Sequence, residues 1–196
     1  MVDRIVQDIR GALEHNLFFV ALNSALTLPD ICGKAAYPDE KCSSKRYVDW
    51  YDEYIGLYEK APIPNGQEKM PYLSGRIIYS LRCSMLHAGE PNVNGNSVKR
   101  KADIDHFSLI VQKAQAFDIY SDSSSIMEFG TNKVRSYRMS VRRICMILCA
   151  TAESYYRDNK EKFLFDYEII DWDEVTAKMP PLDMEAIFEE LANPNL

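Results

Sequence analysis

A mainly α fold, a helical bundle with a small β-hairpin insertion and a C-terminal helical extension, is what three features of this sequence predict. Apolar residues recur at three-and-four spacing through most of its 196 residues, the signature of helices with one buried face. The stretch at about 104–130 instead alternates and concentrates β-branched and aromatic residues, which favours strands. Acidic charge then gathers beyond residue 162. The expected division is a helical domain over 1–162 carrying the hairpin, and an acidic extension over 163–196 packed on the body or on a partner.

Composition narrows the class. Apolar content of 46% with 27% charged residues describes a folded globular chain rather than a disordered one. No run of eighteen apolar residues predicts a membrane span, and the opening MVDRIVQDIRG is too interrupted by charge for a signal peptide. Without an export signal, the five cysteines are expected to be reduced thiols in a cytoplasm. The net charge of -6 conceals a split: residues 163–196 hold nine acids against Lys178 alone, a balance of -8, which leaves +2 for residues 1–162. A body of that charge accepts an anionic partner, while the tail reads as a solvated acidic segment.

Each element has its own signals. Ile5, Ile9, Ala12, Leu13, Leu17, Val20 and Ala21 place a first helix over residues 2 to about 25, capped near Asp3. Pro29 ends or redirects it, and His15 within it is expected to be a satisfied structural histidine. Ser43 or Ser44 should cap a second helix, whose broad face of Tyr47, Trp50, Tyr51, Tyr54, Ile55 and Tyr58 suits core packing better than base stacking. After breakers at 61–66, Leu73 to Pro91 reads as a helix with a stripe of Ile77, Ile78, Leu81 and Met85, capped by Ser74 and stopped by Gly89 and Pro91.

Beyond it, a polar loop ends in the basic cluster Lys99, Arg100 and Lys101. Ile104 to Val111 and Ser125 to Phe129 are the expected strands of an antiparallel hairpin, with His106 in a cross-strand role and Ala114 to Ile119 a possible helical turn. Asn132 to Asn159 reads as one long helix. On it Arg135, Arg138 and Arg142, three and four apart, would share a face, either solvated or tracking phosphates. Cys145 and Cys149 lie one turn apart and are expected to be small buried residues rather than metal ligands. In the extension, one short helix should start at Asp171 or Asp173, and Pro180-Pro181 should separate it from another near Asp183.

The chain carries no glycine-rich phosphate loop, nucleophile elbow, paired CxxC, HExxH or EF-hand loop. What remains is Arg82-Cys83-Ser84-Met85-Leu86-His87, an arginine and a histidine at the end of an apolar-periodic helix. Arg-x4-His in this setting resembles the HEPN superfamily. Members with the motif are metal-independent ribonucleases, often in prokaryotic toxin–antitoxin, abortive-infection or other defence systems, acting as symmetric dimers with both copies at one cleft. Arg82 and His87 are the matching positions, and Cys83 stands where members commonly carry Asn, Asp or His.

The resemblance implies an endoribonuclease without metal or other cofactor, a homodimer, RNA as substrate and a protein partner such as an antitoxin. His87 would serve as general acid or base and Arg82 would hold the scissile phosphate. Lys99, Arg100, Lys101, Arg135, Arg138 and Arg142 could then guide RNA. The alternative is a non-catalytic HEPN-like protein that binds a protein or nucleic-acid partner. Five residues turn a helix through roughly 140°, so the pair would meet across a dimer two-fold rather than within one chain.

Overall fold

The helix Val141–Asp158 is the central element of one apolar core to which most of the other helices contribute buried residues. The computed structural model describes residues 1–60, 70–87, 104–113, 121–164 and 170–179. Its order is α1 (Val2–Glu14), α2 (Phe18–Ala25), α3 (Leu28–Ala36), α4 (Ser43–Tyr51), a π-helical turn (Asp52–Gly56), α5 (Leu57–Glu59), α6 (Gly75–His87), β1 (His106–Ile110), β2 (Ser123–Phe129), β3 (Asn132–Ser140), α7 (Val141–Asp158) and α8 (Trp172–Ala177). The fold is mainly α with a small β insertion. Residues Met1–Phe163 form one compact unit and Leu164–Leu196 another. No helix among the described residues is long and apolar enough to cross a membrane.

The first predicted helix is two. Asn16 adopts φ +59, a left-handed conformation that asparagine tolerates and that ends a helix. The apolar stripe runs on through this break, which is why periodicity alone reads as continuous. His15 sits exposed at the end of α1, its Nδ1 2.8 Å from the Gly11 carbonyl. Pro29 does not terminate a helix but occupies the first turn of α3, where its missing N–H costs nothing. The residue capping α4 is Cys42 rather than a serine.

The aromatic face does go inward: Tyr47, Trp50 and Tyr51 are fully buried, Tyr54 is half-buried, and Tyr58 alone stands out at 85% exposed. Trp50 meets Tyr54 and Tyr155 of α7 at ring separations of 5.4 and 5.9 Å. The predicted stripe Ile77, Ile78, Leu81 and Met85 of α6 is likewise buried.

Two glycines permit close crossings. A Cβ on Gly33 would lie 2.7 Å from the Arg46 carbonyl oxygen, and one on Gly75 would lie 2.6 Å from that of Val48. Asp52 Oδ1 also accepts the Gly75 N–H at 2.7 Å, so the π-helical turn after α4 ties down the start of α6. Ser74 Oγ accepts from Ile77 N at 3.4 Å, as the predicted cap. Gly75→Ala is therefore expected to cost about 1–3 kcal/mol by overpacking. Gly11→Ala, where nothing lies within 4 Å, should instead stabilise, by up to about 1 kcal/mol. Urea denaturation of the two variants checks both signs.

The sheet differs from the predicted hairpin. Its order is β1-β3-β2, with β1 parallel and β2 antiparallel to β3. The two predicted strands therefore do not pair with each other; both flank β3, within what was expected to be the start of a long helix. As the central strand, 132–140 bonds on both sides, and alternate residues Tyr137 and Met139 are buried. Phe107 stacks on Tyr137 at 6.2 Å. Helix α7 begins only at Val141, where Ser140 Oγ caps the Arg143 N–H. Cys145 and Cys149 are buried on it as expected.

In the second unit, Asp171 caps α8 by accepting from Asp173 and Glu174 N–H groups. The expected stop at Gly89 and Pro91, the turn at 114–119 and the helix near Asp183 lie outside the described residues.

Candidate active site

Arg82 projects from the third turn of α6, on the flank of its buried stripe. Asp30 in the first turn of α3 receives it: Oδ2 accepts from Nε at 3.0 Å and from Nη2 at 2.9 Å. The arginine side chain is 23% exposed and the aspartate 26%, so the pair is sheltered yet reachable. The guanidinium carbon lies 6.0 Å from the centre of the Tyr79 ring, one turn earlier. Tyr79 in turn meets the buried Tyr47 edge-on at 5.2 Å. An aromatic wall and one carboxylate thus fix the guanidinium plane.

The electrostatics follow from this shelter. Burial pushes the Arg82 guanidinium down, but Asp30 and the Cys83 side chain more than offset it, so its affinity for the proton is raised. Burial lifts the Asp30 carboxyl above the usual aspartate range, and Arg82 offsets that only in part. Tyr79 is raised by burial first and then by its hydrogen bond to Cys83. Cys83 contributes to raising both the Tyr79 hydroxyl and the Arg82 guanidinium.

His87 is the last residue of α6, five positions beyond Arg82. At 100° per residue the two Cα positions are roughly 140° apart around the helix and about 7.5 Å apart along it. The two positions therefore lie on different sides of an ideal helix.

Beside Arg82, on the neighbouring face of α6, a cavity of about 400 Å³ opens between that helix and α4. Arg76, Tyr79, Ser80 and Cys83 line it from α6, and Ser44, Lys45, Val48 and Asp49 from α4.

The predicted RNA-guiding residues fare unequally. Arg135 and Arg138 are on β3, where an odd separation sends them to opposite faces, and Arg142 is in the first turn of α7. No common helical face exists, because β pairing claims residues 132–140. Arg138 is exposed. The Arg135 N–H donates to Asp105 Oδ2 at 2.7 Å. Arg142 turns back to the break between α1 and α2, with Nη2 3.4 Å from the Leu13 carbonyl and its guanidinium 5.7 Å from the Phe18 ring centre. Lys99, Arg100 and Lys101 lie outside the described residues.

Sequence reasoning missed Asp30, 52 residues from its partner and masked by the breaker signal of Pro29. It also missed Cys42. That exposed thiol is held below the usual thiol range by the Ser44 side chain first and then by the Lys45 N–H. Burial instead pushes Cys149 to about 11 and Cys32 to about 12. The thiolate is the reactive form, so Cys42 should be alkylated first, with a rate that rises with pH and reaches half-maximum below 9.0. Cys32, Cys145 and Cys149 should react only on unfolding. Mass mapping of partly alkylated protein checks the order.

Set against known protein families, curated proteins and solved structures, the chain gives no match.

Proposed function

We propose that the protein is a HEPN-type endoribonuclease that cleaves RNA by 2′-hydroxyl attack, with Arg82 and His87 paired across a symmetric dimer. The observation that carries this reading is the arrangement at Arg82. A guanidinium fixed on one edge by Asp30, backed by Tyr79 and still partly open is suited to receive a phosphate. Such a fixed donor loses little freedom when charge develops on the scissile group.

His87 takes the proton from the attacking hydroxyl or returns one to the leaving oxygen, the role for which imidazole is suited because its charge changes near physiological pH. Asp30 is a positioning residue. As pH falls through its raised value the carboxylate is neutralised, which releases Arg82 toward an anion. Products carry a 2′,3′-cyclic phosphate and a 5′-hydroxyl. End-group analysis of RNA cleaved in excess chelator tests the chemistry. A single 2′-deoxy substitution should block the cut immediately after it; cleavage there, or a 5′-phosphate product, contradicts the mechanism.

One observation favours a non-catalytic binding protein instead: Asp30 already satisfies Arg82 within the chain. On that reading Asp30→Asn and Arg82→Ala alter stability alone, and no cleavage depends on His87.

A further inference from the structure

The cavity between α4 and α6 is lined by two polar side chains of α6, Ser80 and Arg76. Ser80 is 8% exposed and lines the cavity with its hydroxyl-bearing side chain. Arg76 is exposed on the same helix, and no carboxylate among the described residues pairs with it. The other cation, Lys45, is already committed, to Glu40 at 3.0 Å and Asp49 at 2.9 Å.

These contents define the ligand by chemistry. A bare anion suits the cavity poorly, since the Asp49 carboxylate faces it. Val48, Tyr79 and Cys83 offer an apolar wall. Arg76 offers a place for one negative charge, Ser80 and Ser44 offer hydroxyls, and Asp49 accepts from a donor. A ligand that combines a ring, N–H donors, hydroxyls and one anionic group is a nucleotide. The volume of about 400 Å³ falls in the range of small-ligand sites, about 300–1,000 Å³. Tyr79 and Cys83 line this cavity; Arg82 precedes Cys83 in the chain and its guanidinium carbon lies 6.0 Å from the Tyr79 ring centre, so the occupant would adjoin a phosphate held by Arg82.

We infer that this cavity is a nucleotide subsite for the RNA unit next to the scissile phosphate, with Arg76 as its phosphate contact and Ser80 as a hydroxyl partner. The inference rests on the ribonuclease reading for the identity of its ligand, but its binding test does not require cleavage. Titration of the full-length protein with the four 5′-mononucleotides, with inorganic phosphate and with an uncleavable 2′-O-methyl RNA trimer provides that test. The expected result is binding of at least one mononucleotide, tighter binding of the trimer at the same site, and none of phosphate alone. Arg76→Ala, an exposed change that should preserve the melting temperature, should weaken both ligands about tenfold or more, the loss of one charge-assisted contact. Ser80→Val should weaken them less.

The inference is overturned if no mononucleotide binds at millimolar concentration, if Arg76→Ala binds as wild type does, or if the trimer fails to compete. The two readings fail separately. Binding that depends on Arg76 in a protein whose cleavage ignores His87 leaves a nucleotide site without the nuclease. Cleavage that needs His87 but neither binding nor KM that responds to Arg76 leaves the nuclease without this subsite.

Discussion

Arg143→Ala should cost about 3–5 kcal/mol of folding stability, a large part of what a domain of this size possesses. Arg143 stands at the junction of sheet and helix, in the first turn of α7. Its Nη1 donates to Asp122 Oδ2 at 2.8 Å and its Nη2 to Glu59 Oε1 at 2.6 Å. The two carboxylates are only 8% and 6% exposed. Asp122 also accepts from the Tyr137 hydroxyl at 2.9 Å and from the Ser140 N–H at 2.8 Å, so it joins β3 to the cap of α7. Removing the guanidinium leaves two buried carboxylates without their cation.

The Arg10–Glu153 pair offers the contrast. It too has two hydrogen bonds, at 3.0 and 2.7 Å, but both side chains are 38% exposed. Solvent screens it, and Arg10→Ala should cost at most about 1 kcal/mol. Urea denaturation separates the two cases. Equal losses would mean that burial does not govern these pairs. Replacing Arg143 and Glu59 by apolar residues and Asp122 by Asn, whose amide oxygen can still accept from Tyr137 or Ser140, should recover much of the loss, since a buried charge network is costlier half-removed than absent.

The second large effect concerns activity. His87→Ala should lower the rate of RNA cleavage about 10²–10⁴-fold, the range for loss of a general acid or base. Arg82→Ala should reduce it comparably, about 10²–10³-fold, as for loss of one donor to a developing charge. The two differ in their side effects. Arg82→Ala also strands a half-buried Asp30, so it should lower stability measurably, and Asp30→Asn in the same chain should restore stability but not cleavage. A shared loss of activity and fold would be uninformative for Arg82 alone; rescue of the fold without rescue of cleavage separates the roles.

The helical part of this fold was legible because its signals are local. The stripe at Ile77, Ile78, Leu81 and Met85 fixes which side of α6 faces inward, and the aromatic run of α4 could satisfy its bulk only in a core. The failures come from elements decided by distant partners. Residues 132–140 carry arginines at helical spacing, yet two neighbouring strands supply the backbone bonds that make them β. Ser140, with its hydroxyl aimed three residues on, marked the true helix start. Asn16 splits a continuous apolar stripe through one left-handed residue, a choice that periodicity does not register.

The same division runs through the site. Arg82 was visible as half of a motif. Asp30, which orients it, and the cavity framed by α4 and α6 depend on helices brought together across the chain. Asp49 was visible only as a polar residue among aromatics, and Arg76 only as a charge in the first turn of α6. Neither residue has a sequence signal of its own that separates it from an ordinary surface charge.

In the proposed mechanism each Arg82 works with the His87 of a second copy. One RNA-cleavage assay in excess chelator tests it most directly, comparing wild type, Arg82→Ala, His87→Ala, and the two variants mixed one to one under subunit exchange. A mixed dimer rebuilds one intact Arg–His pair and leaves the other pair doubly lost. Each variant alone should be nearly inactive, and the mixture should recover an appreciable fraction of wild-type activity. A mixture as inactive as its parents, with exchange demonstrated, would contradict pairing across the two-fold, and wild-type activity in His87→Ala would contradict the nuclease itself.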